Sequence, residues 1–175
     1  SRDGNFIAVG RLEKIKRFDL LIHAWKGINE KLEIIGDGQE KNNLLTIIEN
    51  NNLAKQITIR SEVNSQELGN IYRRAKALII TSSREGGPRV ALEAAAFNLP
   101  VFGTNVGIMS ELFPQEVLAD PNNEDAIISL IRSFVPLAKN LDVSAIKERI
   151  FESFTVESSA KRVGKIYDSV LSNSL

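Results

Sequence analysis

One feature constrains this chain more than any other: short apolar runs alternate with segments of helical periodicity. The runs are Phe6-Ile7-Ala8-Val9 (within Asn5 to Gly10), Leu32-Glu33-Ile34-Ile35, Ile57-Thr58-Ile59, Ala77-Leu78-Ile79-Ile80-Thr81, Val101-Phe102-Gly103-Thr104 and a weaker Glu116-Val117-Leu118-Ala119. Between them, apolar residues return at helical spacing: Phe18, Leu21, Ile22, Trp25 and Ile28, then Leu44, Leu45, Ile47 and Ile48, then Leu68, Ile71 and Tyr72, then Val90 to Phe97. Asn64-Ser65-Gln66-Glu67 reads as the capped start of the third of these helices. Strands that alternate with helices predict a parallel sheet covered on both faces. The fold class is therefore α/β: a doubly wound six-stranded parallel sheet, Rossmann-like, in the order 3-2-1-4-5-6. A helical tail is expected over about 124–175, from Ala126 to Leu130, Val143 to Phe154 and Val156 to Leu171. The chain of 175 residues contains no repeat and reads as a single domain over 1–175.

In such a sheet, ligands bind outside the carboxyl ends of the strands, where the strand order reverses. The reversal falls between the first and fourth strands, so the loops after both should face one crevice. The loop after the fourth strand is Ser82-Ser83-Arg84-Glu85-Gly86-Gly87-Pro88, followed by the alanine-rich helix. A strand, a glycine turn and a helix N-terminus together form a ready site for an anion such as phosphate. Glu85 precedes the turn and Glu93 lies inside the helix. If Pro88 opens that helix, Glu93 stands five residues further on, about 7–8 Å along the axis. A pair so placed can touch two sugars at opposite ends of a diphosphate. A glycosidase-like acid/base pair is the rival reading of the same carboxylates. The loop after the first strand carries Gly10, Arg11 and Lys16. Cations aimed at a diphosphate would stabilise the charge of its departure; the alternative is a solvated basic loop, the expectation for Lys14, Arg17 and Lys26.

Two of these stretches carry a resemblance. Glu85 and Glu93, with Gly86-Gly87-Pro88 and Glu93-Ala94-Ala95-Ala96 around them, resemble the signature of retaining glycosyltransferases of the GT-B fold, and in particular the "glycosyl transferases group 1" family. Gly10-Arg11-Leu12, Lys16 and the helix with Leu21-Ile22 and Ala24 resemble that family's first motif, although Arg17 stands where the family usually has Gly. Leu32 to Gly38 is similar to its second strand and turn. Ile59 to Val63 is similar to the segment beside the base, with Ser61 in place of a common Gly. Val101 to Leu112 is similar to a Gly-Gly-x-Pro-Glu segment, with Ile108 and Ser110 as departures. The resemblance implies that the chain is the C-terminal, donor-binding half of such an enzyme, with an acceptor domain ahead of Ser1. It implies that Arg11 and Lys16 bind the donor diphosphate, Glu85 the donor sugar and Glu93 the ribose. Gly86 and Gly87 would offer backbone N–H groups, and Gly10, Gly36, Val63, Pro88, Arg89 and Val90 would complete the nucleotide-sugar site. The catalytic set is then Arg11, Lys16 and Glu85. A nucleotide such as UDP, and a polysaccharide or lipid-linked acceptor, follow from the family alone. A non-catalytic nucleotide-sugar module, a sugar-nucleotide epimerase and a pyridoxal-dependent phosphorylase remain as rivals.

Composition sets outer bounds. Lys plus Arg equals Asp plus Glu at 22 each, so no global charge recruits nucleic acid. With no cysteine and one histidine, a transition-metal site is not expected. No cofactor is expected beyond the nucleotide-sugar substrate. His23 is expected to be exposed and Trp25 to lie in the core. The half-enzyme is expected to bind donor and hardly to turn it over. It is expected in the cytoplasm, with any contact at the inner membrane face made through the missing half.

Overall fold

A computed structural model describes residues 2–138. The elements run β1 (Phe6–Val9), α1 (Phe18–Ala24), β2 (Leu32–Ile35), α2 (Lys41–Asn50), β3 (Ile57–Arg60), α3 (Ser65–Arg74), β4 (Leu78–Ile80), α4 (Arg89–Ala96), β5 (Val101–Thr104), α5 (Met109–Leu112), β6 (Leu118–Ala119) and α6 (Glu124–Phe134). The sheet order is β3-β2-β1-β4-β5-β6 and every pairing is parallel. Central β1 pairs Ile7 with Glu33 on one side and with Leu78 on the other. This is the predicted doubly wound sheet, with its reversal between β1 and β4.

The handedness of crossover connections distributes the helices. Leftward steps from β1 to β3 send α1 and α2 to one face; the return to β4 and the rightward steps send α3, α4 and α5 to the other. Consistent with this, α1 packs against α2 and α6, while α3 meets α4 through the rings of Tyr72 and Phe97, 5.7 Å apart. The strands are apolar on both sides because both faces are covered. Phe6, Ile7, Ala8, Leu78, Ile79 and Phe102 are buried, and Trp25 packs edge-on to Phe6 at 5.6 Å. The indole N–H of Trp25 donates to the Glu30 carbonyl at 3.0 Å. Trp25 is thus core, and His23 is exposed.

Caps fix two helix starts. The Asn64 side chain accepts from the Glu67 N–H at 2.9 Å, and the Asn123 side chain from the Ala126 N–H at 3.0 Å. Each satisfies an N–H that the helix itself cannot. Three local expectations are revised. Pro88 is the N-cap of α4, with φ −73 and ψ 87, and Arg89 is the first helical residue. Glu116 and Val117 belong to a 3-10 turn, Gln115–Val117, so β6 is shorter than its apolar run. The short helix α5 was not anticipated, since its four residues are too few to show a period. The helices expected over 143–154 and 156–171 lie outside the described residues.

Candidate functional site

The site begins where β1 and β2 end. Gly10 N–H donates to the Ile35 carbonyl at 3.0 Å and Gly36 N–H to the Arg60 carbonyl at 2.9 Å. These bonds carry the parallel register one step past the strands. The chains then pass so closely that a Cβ on Gly36 (φ 153) would lie 2.0 Å from the Gly10 carbonyl oxygen. Only glycine fits there. Leu12 N–H donates to the Asp37 carbonyl at 2.9 Å and Glu40 N–H to the Leu12 carbonyl at 2.9 Å, so the loops after β1 and β2 are tied together.

Beyond them opens a cleft of about 550 Å³. Its walls include Gly10, Arg11, Gly36, Val63, Arg89, Val90 and Glu93 from the predicted set, with Val9, Ile35, Asp37, Glu62 and Leu68. An apolar trough with a few polar groups on its rim suits a ligand with a flat ring and a charged end. Arg11 is mostly exposed and its guanidinium lies 3.0 Å from a Glu13 carboxylate oxygen. Asp37 organises one rim. Its carboxylate receives Lys41 Nζ at 2.8 Å and the Glu62 N–H at 3.0 Å. The Lys41 bond first, then the Glu62 N–H, holds the Asp37 carboxyl below the usual carboxylate range.

Lys16 and Glu85 do not line this cleft; they meet beside it. Lys16 Nζ stands 2.9 Å from Glu85 Oε1, with both side chains largely buried. Ser82, fully buried, donates its hydroxyl to the same oxygen. The Lys16 stem passes Gly10, where an added Cβ would lie 3.2 Å from Lys16 Cε. Two further bonds join the loops: Ser83 N–H to the Ile15 carbonyl at 2.9 Å and Thr81 Oγ1 to the Lys16 carbonyl at 2.8 Å. The structure therefore brings Lys16 and Glu85 to one junction of the β1 and β4 loops, while Arg11 stays on the cleft wall, paired with Glu13.

The turn itself is open. A Cβ on Gly86 or Gly87 would meet nothing within 4 Å. Gly107 (φ 56) backs the turn, where a Cβ would fall 2.7 Å from the Gly86 carbonyl oxygen. Pro88, buried at the start of α4, stays off the cleft wall, as do Gly86 and Gly87. Glu93 is on the wall. Tyr72 Oη donates to its Oε2 at 3.2 Å, and Arg89 lies 4.0 Å from its Oε1. Burial first, then the neighbouring Glu93 charge, pushes the Tyr72 hydroxyl well above its ordinary value.

Arg17 corrects its expectation. It is not a solvated charge: its side chain is 16% exposed, donates to the Pro121 carbonyl at 2.8 Å and pairs with Glu124. Its backbone is left-handed, φ 51 and ψ 41, which explains why a glycine would suit this position. Tyr72, Ser82 and Asp37 were missed as site residues. Tyr72 reads as core, Asp37 as part of a turn, and Ser82 as a strand end; only its place three residues before Glu85 hinted at more. A larger recess, about 680 Å³, lies across the Glu13–Arg17 loop, but its Glu13, Asp19 and Glu40 offset its Lys14, Arg17 and Arg84. Among the described residues, no group of three or more acidic, His or Cys side chains is placed to hold a metal ion. Among them too, no helix is long and apolar enough to cross a membrane.

Known proteins resemble this chain in sequence and fold. Residues 2–148 match the family described as glycosyl transferases group 1. The amylovoran biosynthesis glycosyltransferase AmsD of Erwinia amylovora is 33% identical over 122 residues, covering 68% of this chain and 33% of that protein. An uncharacterised glycosyltransferase of Methanocaldococcus jannaschii is 29% identical over 176 residues, covering 96% of this chain and 49% of its own length. The chain thus spans a third to about half the length of these curated relatives. Among solved structures, the lipopolysaccharide outer core galactosyltransferase WaaB superposes with a TM-score of 0.81 at 19% identity, over 97% of this chain and 51% of that one. HepE of Anabaena, solved in complex with UDP and glucose, superposes with a TM-score of 0.78 at 17% identity, over 95% and 49%. With the family match running over residues 2–148, most of its length, this chain belongs to the glycosyl transferases group 1 family.

Proposed function

We propose that this chain is the donor-binding half of a retaining, metal-independent GT-B glycosyltransferase that uses a nucleotide-diphosphate sugar. The observation that carries the reading is the cleft at the ends of β1, β2 and β3 opening beside the Lys16–Glu85 junction. A nucleoside fits the apolar trough, with the base against the Val63 segment and the ribose at Glu93. The diphosphate then lies toward Arg11 and Lys16, where fixed positive charge offsets the negative charge that builds as the nucleotide leaves. The sugar projects to Glu85, within reach of the Gly86 and Gly87 N–H groups, while Arg89 and Val90 close the wall at the start of α4. HepE binds UDP and glucose by the description of its structure, and TarM of S. aureus was solved with UDP; a uridine nucleotide is the first choice of probe here.

On this reading the acceptor binds a second domain of the same protein, and the product belongs to a polysaccharide or lipid-linked glycan made in the cytoplasm. The half described binds donor but hardly turns it over, because the acceptor-orienting groups are on the other half. Calorimetry of this chain and of the full-length protein with UDP, GDP and ADP, each with and without chelator, tests the proposal. Binding that survives chelation, with phosphate beside Arg11 and Lys16 in a co-crystal, supports it. Phosphate bound elsewhere, or affinity that collapses on chelation, overturns it.

A further inference from the structure

Glu93 is asked to receive ribose hydroxyls, yet it projects from the side of α4 with a side chain 41% exposed. A free glutamate there samples several rotamers and must be ordered by the ligand. The one charged neighbour on its own helix, Arg89, lies 4.0 Å from Oε1 and is 89% exposed, and so exposed a pair constrains the carboxylate only weakly. The hold comes from α3. Tyr72 is 1% exposed and its ring packs against Phe97. Phe97 is seated in turn by Gly69, where a Cβ would lie 3.3 Å from the ring, and by the Arg73 guanidinium 4.9 Å above it. The phenol therefore has one orientation, and in it Oη donates to Glu93 Oε2 at 3.2 Å.

We infer that Tyr72 is a positioning residue for ribose recognition: its hydroxyl ties down Glu93 Oε2 and so presents the Oε1 edge to the 2′ and 3′ hydroxyls of the nucleotide. The inference rests on the role proposed for Glu93 and adds to it a residue that never touches the ligand. The geometry divides the labour within one carboxylate, one oxygen for the protein and one for the sugar. Because the phenol is buried against a carboxylate, it keeps its proton throughout the working pH range and remains a donor.

The test uses the full-length protein and four probes: UDP, GDP and their 2′,3′-dideoxy counterparts, which lack both hydroxyls. Calorimetry gives the ratio of ribo- to dideoxyribonucleotide affinity, a readout that general loss of packing does not move. Wild type is expected to prefer the ribonucleotide by about tenfold, the size of one hydrogen bond to a charged acceptor. Tyr72→Phe keeps the ring and its packing; it should cut that ratio to about threefold or less while leaving dideoxyribonucleotide affinity unchanged. Glu93→Gln should cut the ratio as far. A wild-type ratio in Tyr72→Phe, beside a lost ratio in Glu93→Gln, overturns the inference and leaves Glu93 in its role. An unchanged ratio in Glu93→Gln, or no binding of either ribonucleotide by wild type, overturns the role of Glu93 and the inference with it.

Discussion

Lys16 Nζ and Glu85 Oε1, 69 residues apart in sequence, lie 2.9 Å from one another. The contact joins the loop after β1 to the loop after β4 and places a cation and a carboxylate at the reversal of the sheet. Ser82 donates to the same Glu85 oxygen, so the other oxygen takes part in neither bond. Glu93 is held differently, through Tyr72. The two glutamates thus occupy separate settings, and their substitutions should separate as well. Glu93→Gln should weaken a plain nucleoside diphosphate and a nucleotide sugar alike, by about 1.5–3 kcal/mol, the worth of a hydrogen bond to a charged group. Glu85→Gln should spare the plain nucleotide and weaken only the sugar-bearing donor. Calorimetry with both ligands on both folded variants checks this; equal losses on the bare nucleotide would place both carboxylates at the ribose.

Arg17 offers a test in which the smaller residue is the better one. Its left-handed backbone costs a non-glycine residue about 1–2 kcal/mol, offset by the bond to Pro121 and the pair with the well-exposed Glu124. Arg17→Gly loses the contacts and the strain together, so stability should stay within about 1 kcal/mol of wild type. Arg17→Ala loses the contacts and keeps the strain, so it should be the less stable variant by about 1 kcal/mol or more. Denaturant titration of the two gives the order. A reversal would mean that the left-handed backbone does not strain a non-glycine residue at this turn.

The glycines of the site divide by what surrounds them. Gly36→Ala forces a Cβ to 2.0 Å from a backbone oxygen, which no side-chain movement relieves. It should destabilise the fold by about 3 kcal/mol or more and part the loops after β1 and β2. Gly87→Ala meets nothing within 4 Å and should leave the melting temperature nearly unchanged. If the turn receives phosphate or sugar through its N–H groups, Gly87→Ala should nonetheless lower nucleotide-sugar affinity several-fold. Thermal melts beside calorimetry separate the two effects; unchanged affinity in Gly87→Ala would remove this glycine from the binding surface.

Asp37 gives the rim of the cleft a pH dependence. Lys41 and the Glu62 N–H depress its folded-state pKa below the unfolded value. A depressed carboxylate contributes its stabilisation in full above the unfolded pKa and loses it as pH falls through the folded one. The tether between the β2 and β3 loops should therefore be intact at neutral pH and fail with a midpoint below the usual aspartate value. The Glu62 amide resonance, followed by NMR from pH 7 downward, reports it directly. A midpoint at or above the usual aspartate value would show that the two bonds do not form in solution.

Much of the architecture is local in origin and was legible as such. Apolar strands such as Ala77 to Thr81, helical stripes such as Phe18 to Trp25, and the Asn64 cap each express a preference set by neighbours within a few residues. Alternation then leaves one economical sheet, and its reversal point names the loops that meet. What the sequence could not express are relations between residues far apart along the chain. Arg17 reads as a surface charge because Pro121 and Glu124 come to it only after α6 packs against α1. Tyr72 reads as core because nothing local reveals that its hydroxyl reaches Glu93 from the next helix. Pro88 caps α4 rather than opening it, and Gly107 comes to lie behind the preceding turn only in the folded chain. Side-chain type and period are written in the order of residues and determined the sheet; the direction of each polar atom depends on which elements pack beside it, and only the folded chain decided that.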